Sequence, residues 1–256
     1  MGILEGKNIV VTGVLTDASL AYGVARTALA EGAQVVLTGA GRALSLTRRT
    51  ARKLGDDISV FEFDVTVPEH VDAVRSQVAE VFGGRVDGVL HSIGYAPPSA
   101  LGDDFFAAPW DDVATAMHIS TYSLKVLADA FVPLMGDGGA FVGLDFDNSQ
   151  AFPAYNWMGV AKMALQSLSR YLARELGPQG IRCNLVAAGP IRTAAAGGIP
   201  GFDELAALWG DRAPLAWDVD DPAPIASAVC FLLSDAARAI TGEILHVDGG
   251  AHAVGA

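Results

Sequence analysis

Short runs of β-branched and apolar residues recur along the chain at 7–12, 34–38, 58–62, 86–91, 139–144, 182–187 and 243–247, with stretches of helical periodicity between them. Runs such as NIVVTG and QVVLTG are apolar at successive positions rather than at alternate ones. A half-buried strand alternates; a parallel strand covered by helices on both faces does not. The pattern therefore predicts an α/β fold, a Rossmann-type doubly wound parallel sheet of seven strands alternating with six helices. No Pro/Gly/Ser-rich linker or long repeat interrupts it, so a single domain over 1–256 is expected.

Helix limits follow from local signals. Pro68 is placed to open a helix toward Phe82, and Gly83-Gly84 to end it. In 155–176 the positions Ala161, Leu165, Leu168 and Leu172 follow helical spacing, while Met158, Val160 and Met163 make further faces apolar. The stretch 111–135 is similarly mixed. Helices apolar on more than one side point to subunit contacts, and a homotetramer with two-fold axes is expected. The stretch 191–215, rich in Ala, Gly and Pro, reads as an irregular, mobile cover over a site.

Charge narrows the choice of partner. The 256 residues carry a formal net charge of −12, and the one basic stretch, 48–53, is short. Nucleic-acid binding draws its affinity from cations on phosphates, so no nucleic-acid partner is expected. The apolar runs fall well short of a membrane span, and the first residues lack the pattern of a secretory leader, so neither a membrane partner nor export is expected. Cys183 and Cys230 sit inside apolar patterns and read as buried thiols of a cytoplasmic protein. The five histidines lack metal-ligand spacing, and no metal is assigned.

Candidate chemistry gathers where strands end. After the first run comes TGVLTDASLAYGVA, a strand, a loop opening on Gly13, and a helix start. Backbone N–H groups and the helix dipole converge on such a spot and favour an anion. Nine residues separate Gly13 from Gly23, so the tight G-x-G-x-x-G is absent, and a plain turn with Ser19 as N-cap fits equally well on this feature alone. Other loops converge on the same edge: Asp64-Val65 after the third run and His91-Ser92-Ile93-Gly94 after the fourth. Ligands of open α/β sheets bind along that edge, which raises a dinucleotide site above the lone loop. His91 reads as a packed strand-end residue, and Asp145 and Asp147 as caps and solvated turn residues.

Gly13 with Ser19-Leu20-Ala21, Asp64-Val65, His91-Ser92-Ile93-Gly94, Tyr155 and Lys162 with six residues between, and Gly189-Pro190-Ile191-Arg192-Thr193 together resemble the NADH-dependent enoyl-acyl-carrier-protein reductases, a divergent branch of the short-chain dehydrogenase/reductases. The resemblance runs the length of the chain. It is nearest to actinobacterial members that have a phenylalanine, here Phe146, where others have a second tyrosine. Ordinary members of the superfamily carry Tyr-x-x-x-Lys; here Gly159 follows Tyr155 by four and the lysine arrives two helical turns on, still on the same face.

The resemblance implies hydride transfer from NADH to the β-carbon of a trans-2-enoyl thioester on acyl carrier protein, in fatty acid elongation. It implies Tyr155 as the catalytic donor at the thioester oxygen and contact to substrate, Lys162 as holder of the nicotinamide ribose, and Phe146 as a wall beside the nicotinamide. It further implies cofactor contacts from Gly13, Ser19, Leu20, Asp64, Val65, Ser92, Ile93 and Gly94, with the Ile191 backbone at the carboxamide and Thr193 at the pyrophosphate. Only about twenty residues separate Thr193 from Arg212, which implies a medium-chain acyl group. The acid that usually selects the ribose 2′-hydroxyl is missing between Gly39 and Arg42. NADPH, paired with Arg42, therefore stands as the second choice of cofactor after NADH. A carbonyl reductase lacks its Tyr-x-x-x-Lys here, and a non-catalytic nucleotide sensor leaves Tyr155 and Lys162 without a use.

Overall fold

Side chains on alternate positions of the apolar runs leave opposite faces of a sheet, and here both faces are covered. In the computed structural model, which describes residues 2–102, 104–153 and 155–255, the runs form β1 (Asn8–Thr12), β2 (Gln34–Gly39), β3 (Val60–Glu62), β4 (Gly88–His91), β5 (Gly139–Asp145), β6 (Ile181–Ala188) and β7 (Ile244–Val247). All pair in parallel in one sheet of order β3-β2-β1-β4-β5-β6-β7. Val10 is in register with Val36 on one side and Val89 on the other. Its neighbour Val11 points to the opposite face.

Each face has its own core. Val11, Leu37, Leu90, Val142 and Val186 pack with α1 (Leu20–Ala30), α2 (Leu44–Ala51) and α8 (Ala223–Leu233). Val10, Val36, Val89, Phe141 and Leu185 pack with α3 (Glu69–Phe82), α5 (Ser123–Phe131) and α6 (Asn156–Leu176). Fully burying one such aliphatic side chain contributes roughly 1.5–3 kcal/mol, so both faces are strongly held. Helix α3 begins immediately after Pro68 and ends at Gly83, whose φ of 62° suits a residue without Cβ.

Three expectations change. Strand β3 is shorter than 58–62, because it is the sheet edge and only Leu37, Thr38 and Gly39 pair with it. The stretch 111–135 becomes α4 (Trp110–Met117), a π-helical turn at His118–Tyr122, and α5, with a short 3-10 turn beyond. The stretch 191–215 is not irregular throughout: it holds a seventh helical segment, α7 (Phe202–Arg212). Asp203 and Glu204 in the first turn and Arg212 in the last suit the helix dipole, and Leu205 and Trp209 are buried at i, i+4. The Ala/Gly/Pro composition of 194–201 conceals it. Cys183 and Cys230 are buried free thiols, and among the described residues no helix is long and apolar enough to cross a membrane.

Candidate active site

Strand order reverses between β1 and β4, and the carboxyl ends around that point open into a cavity of about 980 Å³. Every site residue anticipated above lines it: Gly13, Ser19, Leu20, Asp64, Val65, Ser92, Ile93, Gly94, Phe146, Tyr155, Lys162, Ile191 and Thr193.

The floor is set by contact between two loops. Gly13 has φ of +83°, and a Cβ there would meet the Ser92 carbonyl oxygen. Thr12 Oγ1 donates to Leu90 O at 2.9 Å and accepts from Ser92 N–H at 2.9 Å, clipping the ends of β1 and β4 together. Ser19 precedes α1, yet its hydroxyl does not cap that helix: Oγ accepts from the N–H groups of Leu15 and Thr16 at 3.1 and 3.0 Å. It folds the loop back on itself and leaves the N–H groups of Leu20 and Ala21 uncapped by that side chain, while Tyr22 N–H donates to Ser19 O at 2.9 Å; free N–H groups at a helix start are what an anion site uses.

Beyond β3, Asp64 is held in a turn, its Oδ1 accepting from Thr66 N–H at 2.9 Å and Thr66 hydroxyl at 2.6 Å. His70 Nδ1 accepts from Asp64 N–H at 3.0 Å, a support with no signal in the sequence pattern. His91 is fully buried, with Nε2 2.7 Å from Ser123 Oγ, and burial lowers its pKa to about 3. It is a neutral packing residue, as expected. Arg42 lies exposed in the short turn Gly41–Ala43 after β2.

Tyr155 immediately precedes α6, and Lys162 lies two turns into it. Lys162 Nζ donates to Leu144 O at 2.7 Å; burial lowers its pKa, and Asp145 opposes that shift. The ammonium keeps further N–H donors for a ligand. Burial, and secondarily the nearby Asp145 carboxylate, raises the Tyr155 pKa, so its hydroxyl stays protonated and is a donor. Phe146 packs against Tyr155 at 5.0 Å between ring centroids, against Phe152 at 5.1 Å and against Trp209 of α7 at 5.3 Å. The part of this wall that Trp209 supplies depends on α7, which the sequence pattern does not reveal.

Two acids expected to be solvated are buried. Asp145 and Asp147 are 5% and 6% exposed. Asp147 does serve a turn, accepting from Ser149 N–H and hydroxyl, but Asp145, the last residue of β5, accepts from Gln166 Nε2 at 2.7 Å inside the protein. After β6, Trp217 props the Gly189-Pro190-Ile191 loop: its Nε1 donates to Pro190 O at 2.8 Å, and a Cβ on Gly189 would meet its ring. Thr193 Oγ1 accepts from Ala196 N–H at 3.1 Å.

A family model described as "Enoyl-(Acyl carrier protein) reductase" matches residues 13–252. The chain belongs to this family. Among its relatives is "Enoyl-[acyl-carrier-protein] reductase [NADH]" of Mycolicibacterium smegmatis, 48% identical over 98% of this chain and 97% of the relative. The protein of the same name from Mycobacterium avium is 46% identical over 98% and 97%. A more distant member from Escherichia coli is 37% identical over 98% and 95%. The loop that leads into α1, the cradle at Gly13 and the lysine with spare donors fit the dinucleotide that these reductases are named for.

Proposed function

We propose that this chain is an NADH-dependent enoyl-acyl-carrier-protein reductase of fatty acid synthesis, acting as one domain with a cover at about 191–215. The reading rests on one convergence: a protonated tyrosine hydroxyl, a lysine with spare donors and a phosphate-type loop all line one cavity. NADH, when bound, supplies the hydride that reaches the β-carbon of a trans-2-enoyl thioester.

As that carbon is reduced, negative charge moves onto the thioester oxygen, and Tyr155 donates a hydrogen bond there. A hydroxyl kept neutral by burial makes a donor at that position without bringing in a second negative charge. Lys162 holds the ribose hydroxyls and so fixes the reacting carbon, while its charge adds positive potential beside the oxygen. Gly13, Ser19, Leu20 and Thr193 serve the pyrophosphate. Asp64 and Val65 bracket the adenine, Ser92, Ile93 and Gly94 close the floor, and the Ile191 backbone meets the carboxamide. Phe146 has no proton to give; it walls the substrate channel.

The substrate is an acyl-carrier-protein thioester of medium chain length, in keeping with the short cover between Thr193 and Arg212. Exposed Tyr122, Val160, Met163 and Tyr171 on the π turn and α6 support a homotetramer, and light scattering at one subunit mass would overturn it. Two buried free thiols suit a cytoplasmic location. The deciding assay follows NADH consumption with crotonyl and octenoyl thioesters. Oxidation of NADH with both supports the reading; turnover only with a free ketone, or with nothing, overturns it.

A further inference from the structure

Among the described residues, Asp145 is the buried carboxylate that acts on Lys162, and the reaction described above does not use it. Its Oδ2 takes the Gln166 amide, and its Oδ1 is buried without a hydrogen-bond partner among the described residues. Gln166 follows Lys162 by four residues, so one face of α6 presents both to the end of β5. Lys162 itself is tied to Leu144 O, the residue before Asp145. A carboxylate left half-satisfied in the interior disfavours folding, so its presence here calls for a physical use.

Resting on the NADH reading, we propose that Asp145 is a positioning residue for the cofactor: its charge, anchored by Gln166 beside Lys162, keeps that lysine protonated and able to hold Leu144 O and the ribose hydroxyls together. Burial works to strip the proton from Lys162, and the Asp145 charge is the counterweight. Asp145 titrates at about 6, raised by burial and held back by Lys162, so it is charged throughout the neutral and alkaline range. The other titratable groups facing the pair are His91, Tyr155 and Asp147. His91 is neutral above about pH 3, Tyr155 keeps its proton, and Asp147 is engaged with Ser149 and acts on Asp145. Among the described residues, Asp145 alone supplies negative charge to Lys162 directly.

The test is the affinity of the free protein for NADH, followed by fluorescence titration from pH 6 to pH 9 at constant ionic strength, for wild type and Asp145→Asn. At pH 6 the two should agree within about twofold. Toward pH 9 the variant should lose affinity at lower pH than the wild type, reaching about tenfold weaker binding. Competitive acetylation of the Lys162 amine in the cofactor-free protein, read by mass spectrometry, should show the same earlier onset; Asp145→Ser replaces the amide variant if that one folds poorly. Superimposable profiles overturn the inference, as does equal weakening at every pH, which marks a merely structural role. Failure of the wild type to bind NADH strikes the cofactor reading itself.

Discussion

Gly13 and Ser92 approach so closely that a Cβ on Gly13 would lie 1.9 Å from the Ser92 carbonyl oxygen. No side chain movement relieves a clash with backbone, and the φ of +83° disfavours any L residue by roughly 1–2 kcal/mol besides. Gly13→Ala should therefore force the β1 and β4 loops apart. The expected result is a loss of at least about 2 kcal/mol in urea unfolding together with loss of NADH binding. Wild-type affinity in this variant would remove the loop contact from the cofactor site.

Tyr155→Phe deletes only the hydroxyl and keeps the ring that packs on Phe146. Turnover with an enoyl thioester should fall by about 10²–10³-fold, the usual cost of one donor at a developing oxyanion, while NADH affinity stays within about twofold. Phe146 cannot substitute, having no proton. Steady-state kinetics and a fluorescence titration separate the two quantities, and undiminished kcat rules out the donor role.

Lys162→Ala takes away the group that spans Leu144 O and the cavity. NADH binding should weaken by at least about tenfold, whereas Lys162→Arg, which keeps charge and donors, should retain a measurable fraction. A cofactor affinity unchanged in the alanine variant contradicts the ribose assignment.

All three positions line the cavity: Gly13 was legible because a loop motif follows directly on the end of β1, and Tyr155 and Lys162 because their spacing puts both on one face of α6. The sheet was readable for a related reason: strands buried on both faces are continuous apolar runs, and Val10 and Val11 contribute to opposite cores without alternation to obscure them. Helix α7 was not readable, since the Ala/Gly/Pro residues before it look like loop and only the tertiary contact of Trp209 with Phe146 makes its apolar face meaningful. Asp145 was missed because an acid next to a turn resembles a cap. Only the arrival of Gln166 from α6, 21 residues away, shows it to be interior. The alternative of Ser19 as a plain helix cap does not hold, as its hydroxyl closes the loop and not the helix.

His91 and Asp145 pull the pH dependence of stability in opposite directions. His91 is depressed from 6.5 to about 3 by burial, so below pH 6.5 the unfolded chain takes up a proton that the folded one refuses. Its contribution is complete above 6.5 and is lost as pH falls toward 3. Asp145 is raised from 3.8 to about 6 by burial, so its contribution is complete below 3.8 and is lost as pH rises through 6. Between pH 7 and pH 5 the first loses about 2 kcal/mol and the second gains about 1 kcal/mol, which largely offset each other in the wild type. His91→Asn keeps a polar partner for Ser123 and removes the proton site. Measured by urea denaturation, its stability relative to wild type should improve by about 2 kcal/mol on going from pH 7 to pH 5, while that of Asp145→Asn should worsen by about 1 kcal/mol. A flat difference for His91→Asn would mean that His91 accepts a proton in the folded protein, and that the interior beneath β4 is wetter than its complete burial implies.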